Sequence, residues 1–178
     1  MIRDRAAADV DECLMVLAAV HAADGYPMHW PADPYRWLNP NGLRQAWVAI
    51  GRLPDGAEGI VGHVLVRDDR HGGDPSTAEL GRLFVHPGVR RRGVAVQLLD
   101  HARAWAARNG RTLVLEVAAA GRSAAMDLYQ ATGWRHAGTV TADWTGPAGE
   151  PVQLHRYRDA RPASNSEPLS RGDRLDVP

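Results

Sequence analysis

The chain of 178 residues is the size of one ordinary domain and can bury a core without disulfide bonds. Its 21 basic residues are all arginine and are balanced by 21 acidic residues, so the formal net charge is zero. This balance argues against a nucleic-acid-binding protein with a broad basic face. The absence of lysine excludes P-loop, Schiff-base and amine-nucleophile chemistry.

The cysteine content and the apolar runs of the sequence indicate the cellular compartment of the protein. The single cysteine, Cys13, can form neither an internal disulfide nor a structural zinc site, so we expect a reducing compartment and no metal. The longest fully apolar run, from Cys13 to Val20, is far shorter than the roughly 20 residues of a membrane-spanning helix. Acidic residues precede it, where a signal peptide carries positive charge. These features predict a cytoplasmic protein that binds neither membrane nor nucleic acid.

The pattern of apolar residues predicts the elements in chain order. After a short strand over Met1–Arg5, helical spacing of apolar residues predicts a helix from Asp9 to about Ala23. A proline-rich stretch follows, with one helical turn around Pro34–Leu38. Further strands are expected over Gln45–Leu53, Gly59–Arg67, Ala78–Val85, Thr112–Val117, Arg135–Trp144 and Val152–Tyr157, with helices over Val94–Asn109 and Ser123–Ala131. This order predicts one mixed α/β domain, residues 1–159. Residues 160–178 are poor in apolar side chains and are expected to form a disordered tail.

One segment indicates a binding site. In it, a strand, a turn rich in arginine and glycine, and the start of a helix follow one another. The turn contains Arg90, Arg91, Arg92 and Gly93. Unpaired N–H groups of a first helical turn, together with the helix dipole, favour an anion such as phosphate. Glycine allows close approach of the backbone, and arginine adds charged donors. The alternative is a solvated turn before an ordinary helix.

Two motifs in this chain resemble those of the GNAT acetyltransferases. The first is Arg90-Arg91-Arg92-Gly93-Val94-Ala95, preceded by Val85-His86-Pro87. The second is Ala125-Met126-Asp127-Leu128-Tyr129, followed by Gly133-Trp134. The resemblance covers roughly residues 1–158. It implies an α/β (α+β) fold of the GNAT type, with a mixed, mostly antiparallel central sheet flanked by helices.

The resemblance also implies how acetyl-CoA is held as the acyl donor, without a metal. The backbone amides of about Arg91–Val96 would hold its pyrophosphate, and the strand edge at Leu83, Phe84 and Val85 would pair with the pantetheine arm. A backbone N–H near Val85 would polarise the thioester carbonyl. The implied binding set is Leu83, Phe84, Val85, Arg90, Arg91, Arg92, Gly93, Val94, Ala95 and Val96.

Acid–base roles follow from the same resemblance. Tyr129 matches the family's general acid, the alternative being a tyrosine that only packs. Glu79 stands where some members place a general base; the alternatives are a strand-end carboxylate facing water or a partner for one of the arginines. Glu116 is the next candidate for the base. Arg122 replaces the asparagine that the family often has before the second motif, which leaves that contact open.

The acceptor region is rich in aromatic residues, since five of the eleven lie between residues 26 and 47. Tyr26, Trp30 and Trp37 would cover an amine by packing and cation–π contact, or they simply form a satellite core. We therefore expect an N-acetyltransferase that acts on a primary amine, foremost of a small molecule, by direct attack in a ternary complex. The alternatives are a protein or peptide N-terminal acetyltransferase and a non-catalytic acyl-CoA sensor. A homodimer is possible, and the acceptor and acyl chain remain open.

Overall fold

The computed structural model describes residues 1–119, 124–146 and 148–160. Its helices are α1 (Val10–Asp24), α2 (Pro34–Leu38), α3 (Val94–Arg108) and α4 (Ala124–Ala131). Its strands are β1 (Ile2–Asp4), β2 (Leu43–Arg52), β3 (Glu58–Asp68), β4 (Thr77–Val85), β5 (Thr112–Ala118), β6 (Trp134–Thr145) and β7 (Pro151–Asp159).

The strands form one seven-stranded sheet in the order β1-β2-β3-β4-β5-β7-β6. Every neighbouring pair is antiparallel except β4 and β5, which run parallel. Parallel neighbours need a crossover connection, and α3 supplies it between these two strands. The expectation of a mixed, mostly antiparallel sheet flanked by helices is confirmed.

A hydrophobic core lies on each face of the sheet. The α3 side buries residues such as Leu98 and Leu115, and the α1 side buries Leu17, Leu38 and Cys13. Cys13 is completely buried, and this burial raises the pKa of its thiol to about 12. It is therefore a core residue, as its place on the apolar helix face indicates.

Predicted element boundaries differ from the observed ones by one or two residues. On helix α3 the apolar spacing predicts a buried stripe of Val94, Leu98, Ala102 and Trp105, but Val94 and Trp105 are only half-buried. Leu99 and Ala106 are buried in addition, since the sheet covers a wider arc of the helix than a single stripe. The predictions for residue 122 and for 161–178 lie outside the described residues.

Candidate active site

Strands β4 and β5 pair only over their first four residues, and the space between their unpaired ends is called the β4–β5 cleft. Their parallel pairing runs from Thr77–Thr112 to Leu80–Leu115 and ends there. Beyond this point β5 continues to pair with β7, whereas β4 bulges against β3. The bulge contains Arg82, whose φ of 53° lies in the left-handed region. A bulge bends its strand, so the β4 edge after Leu80 faces the cleft instead of β5.

The start of α3 lies directly after β4 and presents a row of free backbone amides. Arg91 and Gly93 have φ values of 64° and 78°, which curl the loop before the helix. The first helical bond runs from the Gln97 amide to the Gly93 carbonyl at 3.0 Å. Within the described residues, no amide from 91 to 96 donates to a backbone oxygen. Such consecutive N–H groups at a helix start bind anions, so the predicted phosphate loop has the required geometry.

The three arginines of this loop have different surroundings. Arg90 forms an ion pair with Asp24 at the end of α1, and its Nε lies 3.4 Å from the Val85 carbonyl. Arg91 and Arg92 are exposed, and no ion pair in the described part of the chain involves them. Arg90 therefore connects the loop to α1 and β4, whereas the guanidinium groups of Arg91 and Arg92 face solvent.

Tyr129, on α4, is buried beside two other aromatic rings. It is 8% exposed, and its ring centroid lies 6.0 Å from that of Trp134 and 6.5 Å from that of Tyr157. Burial raises the pKa of the phenol, and nearby Tyr26 raises it further. The phenol is thus protonated at neutral pH, the state that a general acid needs.

Glu79, on β4, is a buried ion-pair partner, so the alternative in which it faces water is wrong. Its side chain is 5% exposed. One carboxylate oxygen lies 2.6 Å from Arg67 Nη2, and the other lies 3.3 Å from Arg70 Nε. Both oxygens are therefore engaged by guanidinium groups.

Glu116, on β5, lies in the same network but keeps one oxygen free. Its Oε1 is 2.8 Å from His71 Nδ1 and 2.9 Å from Arg156 Nη1. Its Oε2 is buried without a hydrogen-bond partner, and the nearest charged group, Arg70 Nη2, is 3.6 Å away. A buried carboxylate oxygen with a vacant lone pair can accept a proton or a water.

Of the three aromatic residues predicted to cover the acceptor amine, one is packed and two are exposed. Trp37 packs against the α1 core, and the Tyr26 ring meets it edge-on at 6.1 Å. Tyr26 and Trp30 are 37% and 41% exposed, more than a satellite core requires. The Tyr26 phenol is close enough to Arg82 and Tyr129 for electrostatic interaction with both.

Sequence reasoning missed two arginines on this side of the sheet, Arg67 and Arg82. Arg67 is 4% exposed, and an arginine that continues an otherwise apolar strand was an available signal. Arg82 offered no such signal, because its position depends on a left-handed backbone that arginine rarely adopts. Its guanidinium carbon lies 4.4 Å from the centre of the Trp37 ring.

Two parallel strands that separate beside a helix start with free amides can receive a ligand that has an anionic group and an extended arm. The model of the acetyltransferase (GNAT) family matches residues 16–134, about two thirds of the chain, and the protein belongs to this family.

Solved structures show the same fold at low sequence identity. Arabidopsis thaliana NAA60 in complex with acetyl-CoA superposes with a TM-score of 0.67 at 18% identity, covering 89% of this chain and 96% of that one. The ribosomal-protein-S18-alanine N-acetyltransferase from Escherichia coli gives 0.63 at 17%, covering 93% and 97%. An aminoglycoside 6'-N-acetyltransferase complexed with coenzyme A gives 0.63 at 11%, covering 89% and 95%. No curated protein matches the sequence. Within residues 1–119, 124–146 and 148–160, no helix is long and apolar enough to cross a membrane.

Proposed function

We propose that this protein is an acetyl-CoA-dependent N-acetyltransferase that acetylates the primary amine of a small molecule by direct attack in a ternary complex. One observation carries the proposal: the β4–β5 cleft opens beside the free amides of residues 91–96. The pyrophosphate of a thioester cofactor fits the free amides, and its long arm fits the cleft. We also propose a cytoplasmic location, on the ground that the single thiol, Cys13, is free and buried.

The donor would be bound largely by main chain. The amides of residues 91–96 would receive the pyrophosphate, with Arg91 and Arg92 adding charge-assisted hydrogen bonds. The pantetheine arm would pair with the β4 edge at Leu83–Val85, as an added strand does. A backbone N–H near Val85 would polarise the thioester carbonyl as negative charge develops on its oxygen.

The transfer needs one group to accept a proton and another to donate one. The ammonium of the acceptor loses a proton to a carboxylate, directly or through a water, and its nitrogen then attacks the carbonyl carbon. The carbon–sulfur bond breaks, and Tyr129 donates its proton to the departing thiolate. The second proton that the nitrogen loses as the amide forms returns to the Tyr129 phenolate, directly or through water. The products are the acetylated amine and free coenzyme A.

Two carboxylates are candidates for the base. The Oε2 of Glu116 supports Glu116, because that atom has no hydrogen bond among the described residues and its ion-pair partner, Arg70 Nη2, is 3.6 Å away, so it can accept a proton without first losing a hydrogen bond. Both oxygens of Glu79 are engaged by Arg67 and Arg70, which supports a role in positioning the network. Glu79 is the alternative base.

A thiol-release assay with acetyl-CoA and a panel of amines, amino acids, aminoglycosides and peptides tests the proposal. Tyr129→Phe should lower kcat by about 100-fold or more, the usual contribution of a general acid, while acetyl-CoA binding is kept. Tyr35→Phe is the matched control, because Tyr35 is exposed on α2 and its hydroxyl donates to Asp11. It should leave kcat unchanged.

The other functional hypotheses would give different results in the same assay. A peptide N-terminal acetyltransferase would release thiol with peptides and not with free amines. An acyl-CoA sensor would bind acetyl-CoA and release no thiol with any acceptor. An unchanged kcat in Tyr129→Phe would show that Tyr129 is not the acid.

A further inference from the structure

Arg82 lies at the cleft, and no described acidic residue forms an ion pair with it. It is half-buried in the β4 bulge, its Nε lies 3.3 Å from the Trp37 carbonyl, and its guanidinium stacks on the Trp37 ring. No ion pair in the described part of the chain involves this side chain, and its two terminal nitrogens have no hydrogen-bond partner there. Most other arginines around the cleft are paired, so Arg82 is an exception.

The surroundings of Arg82 are unfavourable for a lone cation. Burial lowers the pKa of its guanidinium, and the charges of Arg67 and Arg70 lower it further. Only Tyr26 and Glu79 act in the opposite direction, and Glu79 is already bound by the other two arginines. A desolvated guanidinium of this kind is strongly stabilised by an anion.

Two further atoms on the same side of the sheet have no hydrogen-bond partner within the part of the chain that the structure describes. Arg67 Nε is a buried donor without an acceptor, and Glu116 Oε2 is a buried acceptor without a donor. Arg67 pairs in register with Glu79, three residues before Arg82. Buried polar atoms are nearly always hydrogen-bonded, so an unpaired donor and an unpaired acceptor together indicate a ligand that supplies the opposite groups.

We propose that the acceptor is a small amine that carries an acidic group, as an amino acid or its phosphonate analogue does. Arg82, with Arg67, holds the carboxylate or phosphonate, and the amino group faces Glu116. Trp37 keeps the Arg82 guanidinium in place by stacking. The inference rests on the proposed function and names its substrate class.

Matched acceptors test the inference. The common amino acids are assayed by thiol release, and the best one is compared with its carboxamide, its decarboxylated amine and a C-terminally blocked peptide that begins with the same residue. We expect kcat/KM for the acid to exceed that for the amide about 10- to 100-fold, the effect of one charge-assisted hydrogen bond. Equal values, or a peptide as good as the free acid, would overturn the inference.

Variants then assign the effect to Arg82. Arg82→Gln should lower kcat/KM for the acid about 10- to 100-fold more than for the amide, so that the preference is lost, because the amide does not use the charge. Arg82→Lys should restore part of the preference. Arg52→Gln is the control, since it removes the same charge from an exposed site on the β2–β3 hairpin and should leave the preference intact.

Calorimetry separates this inference from the proposed function. The same amino acid is titrated into protein saturated with coenzyme A, with and without Arg82→Gln. Acetylation of neutral amines without preference for acids would overturn the inference and keep the proposed function. Binding that depends on Arg82, without acetylation of any amine, would keep the recognition of the acid and overturn the proposed function. Neither binding nor acetylation would overturn both.

Discussion

At the scale of single residues, His63 illustrates how position decides chemistry. It is fully buried on β3 and stacks on Phe84 with ring centroids 5.0 Å apart. Its Nδ1 lies 2.9 Å from the Arg82 carbonyl and its Nε2 lies 3.1 Å from Arg5 Nη1. The carbonyl can only accept and the guanidinium can only donate, so Nδ1 carries the proton and the ring is neutral. His63 therefore supports the Arg82 bulge and is unsuited to proton transfer.

The buried His63 makes the stability of the fold depend on pH. Burial lowers its pKa to about 3, from an ordinary value of 6.5. The unfolded chain therefore binds a proton that the folded chain does not, and stability is lost as the pH falls below about 6.5. The expected slope is about 1.4 kcal/mol per pH unit. Urea unfolding between about pH 6.5 and 4.5 measures it, above the range where most carboxylates titrate.

The matched variants for this slope are His63→Gln and His136→Gln. His63→Gln removes the titrating group. The slope of the unfolding free energy against pH should therefore decrease by the contribution of one proton, about 1.4 kcal/mol per pH unit, even though the overall stability falls. His136 is exposed on β6, and its variant is the comparison that controls for the loss of a histidine side chain. An identical slope in wild type and His63→Gln would show that His63 takes up its proton equally in the folded and the unfolded chain.

Single substitutions distinguish the two candidate bases, Glu116 and Glu79. Glu116→Gln should lower kcat by about 100-fold and shift the acidic limb of the pH–rate profile, because the proton acceptor is lost. Glu79→Gln should lower the melting temperature more clearly than kcat, because it leaves Arg67 buried without a counter-charge. The two effects are measured by thiol release and thermal unfolding. The reverse pattern would make Glu79 the base.

At the scale of elements, the junction of β4, the loop at Arg90–Arg92 and α3 determines the position of the free backbone amides. The strand ends in a bulge, and the loop after it needs left-handed residues before the helix begins. Gly93 meets this need without strain, whereas Arg91 adopts the same conformation at a cost. The free amides of residues 91–96 are a consequence of this backbone path.

Two glycines at opposite ends of α3 provide a matched test. Gly93 and Gly110 have φ values of 78° and 60°, and an added Cβ at either one would meet no atom closer than 3.8 Å. Replacing either by alanine should therefore cost a similar backbone strain, about 1–2 kcal/mol of stability. Only Gly93→Ala should also weaken acetyl-CoA binding, about 10-fold, since relaxation of the strain turns the loop amides.

Isothermal titration with acetyl-CoA and urea unfolding provide the two readouts. Equal loss of affinity in Gly93→Ala and Gly110→Ala would point to general destabilisation. Unchanged affinity in Gly93→Ala would show that the loop amides do not contact the cofactor.

At the scale of the whole molecule, zero net charge conceals two charged regions. One is the loop at Arg90–Arg92, and the other is the network around Glu79 and Glu116. The loop directly follows β4, and the network spans β4 and β5, so a ligand that contacts both regions connects the two strands with the start of α3. Binding should therefore stabilise the fold as a unit.

Acetyl-CoA at about 100 times its Kd should stabilise the protein by about 2.7 kcal/mol. For a chain of this length, that corresponds to a rise in Tm of about 5–10 °C. A thermal-shift series with acetyl-CoA, propionyl-CoA and NAD measures the rise, and NAD should give none. No shift with any acyl-CoA would contradict the proposed cofactor.

The elements and their order could be predicted from the sequence alone. Apolar periodicity is a local property, and it fixed α1, α3 and the strands to within a residue or two. The motif at Arg90–Ala95 also indicated an anion site, because a helix start has free amides whatever it packs against.

The sequence by itself determined the fold class, the family resemblance and the identity of Tyr129 and the two glutamates as candidates. Only the tertiary structure decided their surroundings. Two arginines bind Glu79, and among the described residues one oxygen of Glu116 has no hydrogen bond and Arg82 has no ion-pair partner. The physical reason is distance along the chain. Ion pairs and burial join residues from separate strands and loops, and no local pattern records which side chain meets which.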